Sequence, residues 1–244
     1  VAGQVVDTES AREFMREALG KITEAELGTI ADELEIKHAR FSTLLSKAGL
    51  DALTPEGLRP ILRSIFSTRR RVRDFLEGPV AGDLASWIRD LLYSRAPIDQ
   101  RFQAFYDRLR GFPDSVRYDL ASELLHYTEP EQYWLWTRWV WDPQTRTGAL
   151  PLVTMEEYDL AGETAGETYL RVGEAIAFVH ETGKVSGFTR IGHGPFGVDV
   201  YLACVYAVYV YTTVRMRMTH EFNRVIPPLP ELCRRFLGVY KMEV

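Results

Sequence analysis

The chain is poor in the residues that build metal and redox centres, with two cysteines and five histidines in 244 residues. Cys204 and Cys233 stand far apart in sequence, with no CxxC and no Cys/His cluster. That excludes a disulfide scaffold and a sequence-readable zinc site. His38, His126, His180, His193 and His220 are scattered and form neither HxxxH nor HExxH. There is no GxSxG elbow, and no lysine follows a glycine loop in the Walker manner. Strand signals are as scarce: no alternating β-branched run is bounded by Asn-Gly or Asp-Gly. Only Val205 to Tyr211 has a two-residue period, and it lies inside a longer apolar run. Internal repeats and low-complexity segments are missing too. The uncharged run from Val200 to Val214 falls short of the roughly 20 residues a membrane span requires. Asp199, Arg215 and Arg217 close it, and Tyr201, Tyr206, Tyr209, Tyr211 and Thr212 place hydroxyls along it. A buried central helix is the expectation there, with no membrane span. Val1 to Ser10 shows no basic region leading into an apolar stretch, so no signal peptide is expected. Cytoplasm is the expected location, in keeping with two reduced cysteines.

What is present is an ordinary globular balance, 46% apolar and 26% charged. The length suffices for a core that stands without staples. A net charge of −5 disfavours a nucleic-acid binder driven by bulk positive charge.

Helix signals dominate. Asp7 to Ser10 caps a first helix with Phe14, Met15, Ala18 and Leu19 at three/four spacing. Thr23 with Glu26 makes a capping box for a second that runs almost to Gly49. Thr54-Pro55 offers an N-cap and a first-position proline for a third, expected to run to Gly78-Pro79. Asp83 caps the next, Ile98 to Leu109 forms another stripe, and Asp114-Ser115 starts one through Leu125. Pro130, Pro143 and Pro151 then interrupt the pattern, and Trp141 to Ala149 reads as a turn-rich connector. Helices are expected to resume near Glu156 and to run from Thr168 to Thr182. A glycine-rich loop follows from Gly183 to Gly197, then the buried helix, then a short last helix after Pro227, Pro228 and Pro230. The expectation is a single all-α domain of irregular multi-helix form, with a division into two lobes near 141–154.

Three constellations carry chemistry. Four of the five tryptophans fall at Trp134, Trp136, Trp139 and Trp141. They suit a stacking platform, a hot-spot patch for a protein partner, or a core between helical layers. On one helix they would show on more than one face, so at least one is expected to point outward. The run Arg69-Arg70-Arg71-Val72-Arg73 shares its expected helix with Arg59 and Arg63. It suits phosphates, an acidic partner, or a solvated face paired with Asp74 and Glu77. Acidic segments elsewhere make the charge segregated, which suits protein docking. The loop Ile191-Gly192-His193-Gly194-Pro195, with Gly197 and then Asp199 inside the next helix, offers backbone N–H groups to an anion or lets two helices pack closely. Arg190, Arg215 and Arg217 lie near it in sequence. A buried Cys204 reads as an inert core thiol, and a pocket around Glu174, His180 and His193 stays open as an enzymatic alternative.

The Gly192-His193-Gly194 turn and the helix after it resemble the hairpin of the helix-hairpin-helix DNA-repair superfamily. Ser122 to Pro130 is loosely similar to a helix-then-proline element of such proteins. The resemblance covers about a dozen residues and implies amides of Gly192 to Gly197 on a DNA phosphate. The family's catalytic aspartate is missing, since Val200 to His220 holds no carboxylate and Glu221 is the first. Its lyase lysine is missing too, replaced by Pro195-Phe196-Gly197. Separately, Arg138-Trp139-Val140-Trp141-Asp142 followed by Thr147-Gly148 is similar to segments of uncharacterised helical proteins accompanying heterodisulfide-reductase-like redox complexes. That resemblance implies an accessory subunit without a cofactor of its own, and two isolated cysteines cannot supply the four usual iron–sulfur ligands. The sequence thus points to a non-catalytic helical adaptor or structural subunit, without cofactor or metal. It would bind other protein subunits through Trp134, Trp136, Trp139, Trp141, Arg69, Arg70 and Arg71. The alternative is a nucleic-acid-binding protein using Gly192, Gly194, Gly197, Arg190 and Arg215.

Overall fold

The structure is a computed structural model describing residues 5–186, 191, 194–217 and 227–241, without the side chains of 214–217. The described residues are all-α, with no β-strand and two isolated bridges, Val6 with Thr154 and Asp142 with Thr147. The helices are α1 (Thr8–Leu19), α2 (Glu24–Leu44), α3 (Lys47–Ala52), α4 (Pro55–Ser64), α5 (Val72–Leu76) and α6 (Leu84–Tyr93). They continue with α7 (Ile98–Arg108), α8 (Asp114–Thr128), α9 (Ala165–Ser186), α10 (Gly197–Arg217) and α11 (Leu229–Leu237).

Local chemistry explains the starts. Asp7 Oδ1 accepts from the N–H groups of Glu9 and Ser10, capping α1. Thr23 and Glu26 close a reciprocal box, with Glu26 N–H to Thr23 Oγ1 at 3.2 Å and Thr23 N–H to Glu26 Oε2 at 3.1 Å. Thr54 Oγ1 accepts from Gly57 N–H, and Pro55 occupies the first position of α4.

Two expected helices differ. The long helix from Thr54 to Gly78 breaks after Ser64 into α4, a turn, and the five-residue α5. Thr68 Oγ1 donates to Leu62 O at 2.6 Å, and Lys37 Nζ donates to Ser64 O at 3.2 Å. Side chains therefore hold carbonyls that a continuing helix would need, and Ile65 swings into extended backbone. The helix expected near Glu156 starts only at Ala165. Thr164 Oγ1 accepts from Glu167 N–H, Glu167 reaches back to Glu163 N–H, and Asp159 holds a turn through Ala161 N–H. These caps fix the start one turn before Thr168.

The chain divides into two compact units. The first comprises 1–34, 139–158 and 175–244, and the second 35–138 and 159–174, so the chain passes between them four times. In the first unit α10 packs against α1 and α11. Tyr201 hydroxyl donates to Ala11 O at 3.0 Å, and Glu33 holds Arg234. The N-terminal half of α10, Val198 to Val205, is buried, as the uncharged run led one to expect. No described helix is long and apolar enough to cross a membrane. In the second unit α6, α7 and α8 pack on one another, around Phe102, Phe105, Leu120 and Leu124.

Candidate functional site

The densest ionisable cluster lies on α8, in the second unit. This helix is buried on every side from Val116 to Thr128. Its polar residues Asp119, Ser122, Glu123 and His126 recur at i, i+3, i+4 and i+7, which makes one stripe on a helix. A buried polar stripe requires partners, and the partners are backbone groups of the non-helical segment 133–138. His126 Nδ1–H donates to Tyr133 O at 2.7 Å, since a carbonyl only accepts. Ser122 Oγ accepts from Trp136 N–H at 2.6 Å. Asp119 accepts from Arg138 N–H at 2.8 Å. The stripe thus does for this extended segment what a neighbouring strand does in a sheet.

The fourth member reaches the other way. Glu123 accepts from Lys37 Nζ at 2.7 Å, and this ion pair is enclosed, Lys37 at 0% exposure. The ammonium also lies 3.9 Å from the Tyr127 ring centroid, a cation–π contact shielded from water. His38 Nδ1 and Ser42 Oγ meet the last carbonyls of α8, at Tyr127 and Thr128.

Burial pushes both carboxyls upward. Asp119 is raised well above the usual range by desolvation first and by the neighbouring Glu123 charge second. Glu123 is raised as well, because desolvation outweighs the pull of Lys37. A carboxyl pair with displaced acidities beside a lysine and a histidine is the material of general acid–base catalysis. Here those groups are engaged by the chain's own backbone and by one another, and each is buried. The arrangement fits a polar cradle that sets the path of residues 133–138.

The tryptophans follow from that path. They sit on no helix, so the expectation from helical spacing, that they show on more than one face, does not apply. Trp136 stacks on Tyr118 with centroids 4.5 Å apart and planes at 3°. Phe102 lies against it, with Tyr169 stacked beyond. Trp139 packs in the first unit against Tyr206 and Phe236. Trp136, Trp139 and Trp141 are buried, and only Trp134 is half-exposed, lying against Gly173. In the isolated chain the cluster therefore offers at most one partly open indole to a partner.

The arginines are placed differently from the expectation. Arg69, Arg70 and Arg71 occupy the turn between α4 and α5, so Arg59, Arg63 and Arg70 do not share a face of one helix. Exposed Phe66 stands in this turn, with the Arg69 guanidinium 4.6 Å from its centroid. Arg63, Arg70, Arg71 and Arg73, near it in sequence, are exposed. Arg71 meets Asp74 at 3.6 Å and Arg73 meets Glu77 at 3.4 Å, as expected, both in open water.

Of the glycine loop, Gly192, His193 and Arg190 lie outside the described residues, as does the Arg215 side chain. Gly194 precedes α10, and Gly197 opens it. A Cβ at Gly197 would come within 2.5 Å of Ile191 O, so this glycine allows a close backbone approach. Glu174 is exposed and His180 is half-buried on the same helix, about 120° apart. His193, the third member of that alternative, is not described. Cys204 neighbours Cys233 in the first unit. No group of His, Cys, Asp or Glu suited to a metal occurs among the described residues.

Asp119, Glu123 and Lys37 are the residues that sequence reasoning missed. Their signal was present as the 119/122/123/126 stripe, but such a stripe on an amphipathic helix normally faces water.

No protein-family model, no curated protein and no solved structure gives a significant match to this chain.

Proposed function

We propose that the chain is a non-catalytic helical subunit that docks onto an acidic surface of a partner protein. The observation that carries this reading is the turn between α4 and α5. It leaves Phe66 exposed beneath the Arg69 guanidinium, and Arg63, Arg70, Arg71 and Arg73, close to it in sequence, are exposed as well. An exposed aromatic under a guanidinium, in an arginine-rich turn, has the composition of an interface hot spot. The nearby carboxylates of Asp74 and Glu77 are solvated partners, and such exposed pairs contribute about 0–1 kcal/mol. They exchange readily for an external carboxylate. The enclosure of the α8 cluster supports the non-catalytic part, because its acids are occupied in holding residues 133–138. A larger assembly is the setting this reading implies, of the redox kind whose accessory helical proteins the segment from Arg138 to Asp142 resembles.

The nucleic-acid alternative gains less support. Asp199 is buried in the first turn of α10, which puts a carboxyl close to where a phosphate would be gripped.

The test is affinity purification of the tagged chain from its native host at modest and high salt, alongside F66A and R70E/R71E. Stoichiometric protein partners lost in both variants support docking through this turn. Nucleic acid that elutes as salt rises, with no stable protein partner, overturns it.

A further inference from the structure

The two cysteines of the chain meet. Although 29 positions apart, Cys204 on α10 and Cys233 on α11 bring their Sγ atoms to 3.6 Å. Both are free thiols in the interior of the first unit, 1% and 0% exposed. A chain with two cysteines that places them side by side on different helices has the geometry of a cross-link. We propose that Cys204 and Cys233 are a dithiol–disulfide couple whose oxidised form locks α11 onto α10.

A disulfide requires its sulfurs about 2.05 Å apart, so each thiol has to move by about 0.8 Å. The surroundings favour a lock at this place. Helix α11 has nine residues. It is held by Arg234 on Glu33, by Phe236 against Trp139 and Tyr206, and by buried Leu232 and Leu237. A short helix of this kind opens at lower cost than the core as a whole, and opening gives a reagent access to the buried pair. While the helix is closed, the Cys204 thiol is pushed up by its hydrogen bond to Cys233 and by burial, which keeps that thiol protonated.

The oxidant is a small-molecule disulfide. One protein thiolate attacks a reagent sulfur, expels a reagent thiolate and leaves a mixed disulfide. The second protein thiolate attacks the protein sulfur of that bond and expels the other reagent thiolate. Two protein thiols are oxidised, the reagent is reduced to two thiols, and the two protons pass to them.

The test equilibrates the full chain with oxidised and reduced dithiothreitol in a series of ratios, at 25 °C and again a few degrees below Tm. Samples are quenched in acid, denatured, alkylated with N-ethylmaleimide and measured by intact mass and peptide mapping. The expected result is an oxidised chain lighter by two hydrogens, without adducts, yielding a cross-linked Cys204–Cys233 peptide. Its Tm is expected to rise by about 5–10 °C, reversibly on reduction. C204A and C233A each abolish the shift. If those variants do not fold, the mass and Tm of the unaltered chain decide alone. Two alkylated cysteines at every ratio and both temperatures overturn the proposal. So does a disulfide formed only between chains, or one that leaves Tm unchanged.

Discussion

At the scale of single residues, Asp119 of α8 and Lys37, the partner of Glu123, carry opposite expectations for substitution. Asp119 is buried, and its pKa is displaced upward by desolvation and by Glu123. The folded state therefore holds its proton more tightly than the unfolded chain, in which the carboxyl titrates near about 3.9. Its contribution is most favourable below that value and is lost as pH rises toward the folded-state value. D119N keeps an acceptor for Arg138 N–H and has no proton to lose. The Tm difference between D119N and the unaltered chain is expected near zero around pH 4 and to grow in favour of D119N up to pH 8. Thermal melts across that range check it, and a variant less stable at pH 8 refutes it. Lys37 behaves the other way. K37M leaves Glu123 buried without its counter-charge and is expected to cost about 3–5 kcal/mol. K37M/E123L removes both charges and is expected to recover most of that loss in urea denaturation. If the double variant is as unstable as the single, the packing of Lys37 against Tyr127 outweighs its charge.

Elements show where the sequence was legible. Helices begin where side chains advertise it, as with Asp7, the Thr23–Glu26 box and Thr54-Pro55. Each cap is built within four residues, so local reading finds it. The break after Ser64 was not legible, because apolar positions keep helical spacing through Ile65 and on to Val72 and Phe75. What ends α4 comes partly from afar: Lys37 takes the Ser64 carbonyl, and Lys37 is placed by Glu123. For the candidate site the same limit applies. The four-residue polar stripe of α8 could be read, but not that a non-helical segment covers it. Thr68 is the local half of the α4 stop, with its hydroxyl on Leu62 O and Ile65 O. T68V keeps the shape and removes the donor to Leu62 O, while Ile65 O keeps the Arg69 N–H, at an expected cost of about 1–3 kcal/mol. The turn carrying Phe66 and the arginines should loosen with it. Hydrogen exchange at residues 65–71 measures this, and unchanged protection there would show that Lys37 alone sets the stop.

On the scale of the molecule, the partition of the chain decides what can be separated. A cut near 141–154 is where the proline-rich connector suggests two lobes, yet neither compact unit is a continuous half. The unit containing α8 takes residues 159–174, including Tyr169, which stacks on Phe102 and donates to Trp134 O. The unit containing α10 takes α1, whose Ala11 carbonyl accepts from Tyr201. A fragment ending at 140 thus lacks an aromatic layer of its own core. A fragment starting at 141 exposes the α1-facing side of α10, including buried Tyr201 and Val205. Neither is expected to show a cooperative thermal transition alone, because each leaves uncovered apolar surface worth roughly 25 cal/mol per Å². Co-expressed, the two fragments carry every segment of both units and should purify together and melt cooperatively. Circular dichroism of each fragment and of the pair distinguishes these outcomes. A cooperative melt from either fragment alone would mean that its missing segment only decorates a core complete without it, and the connector would then divide the chain as its prolines suggest.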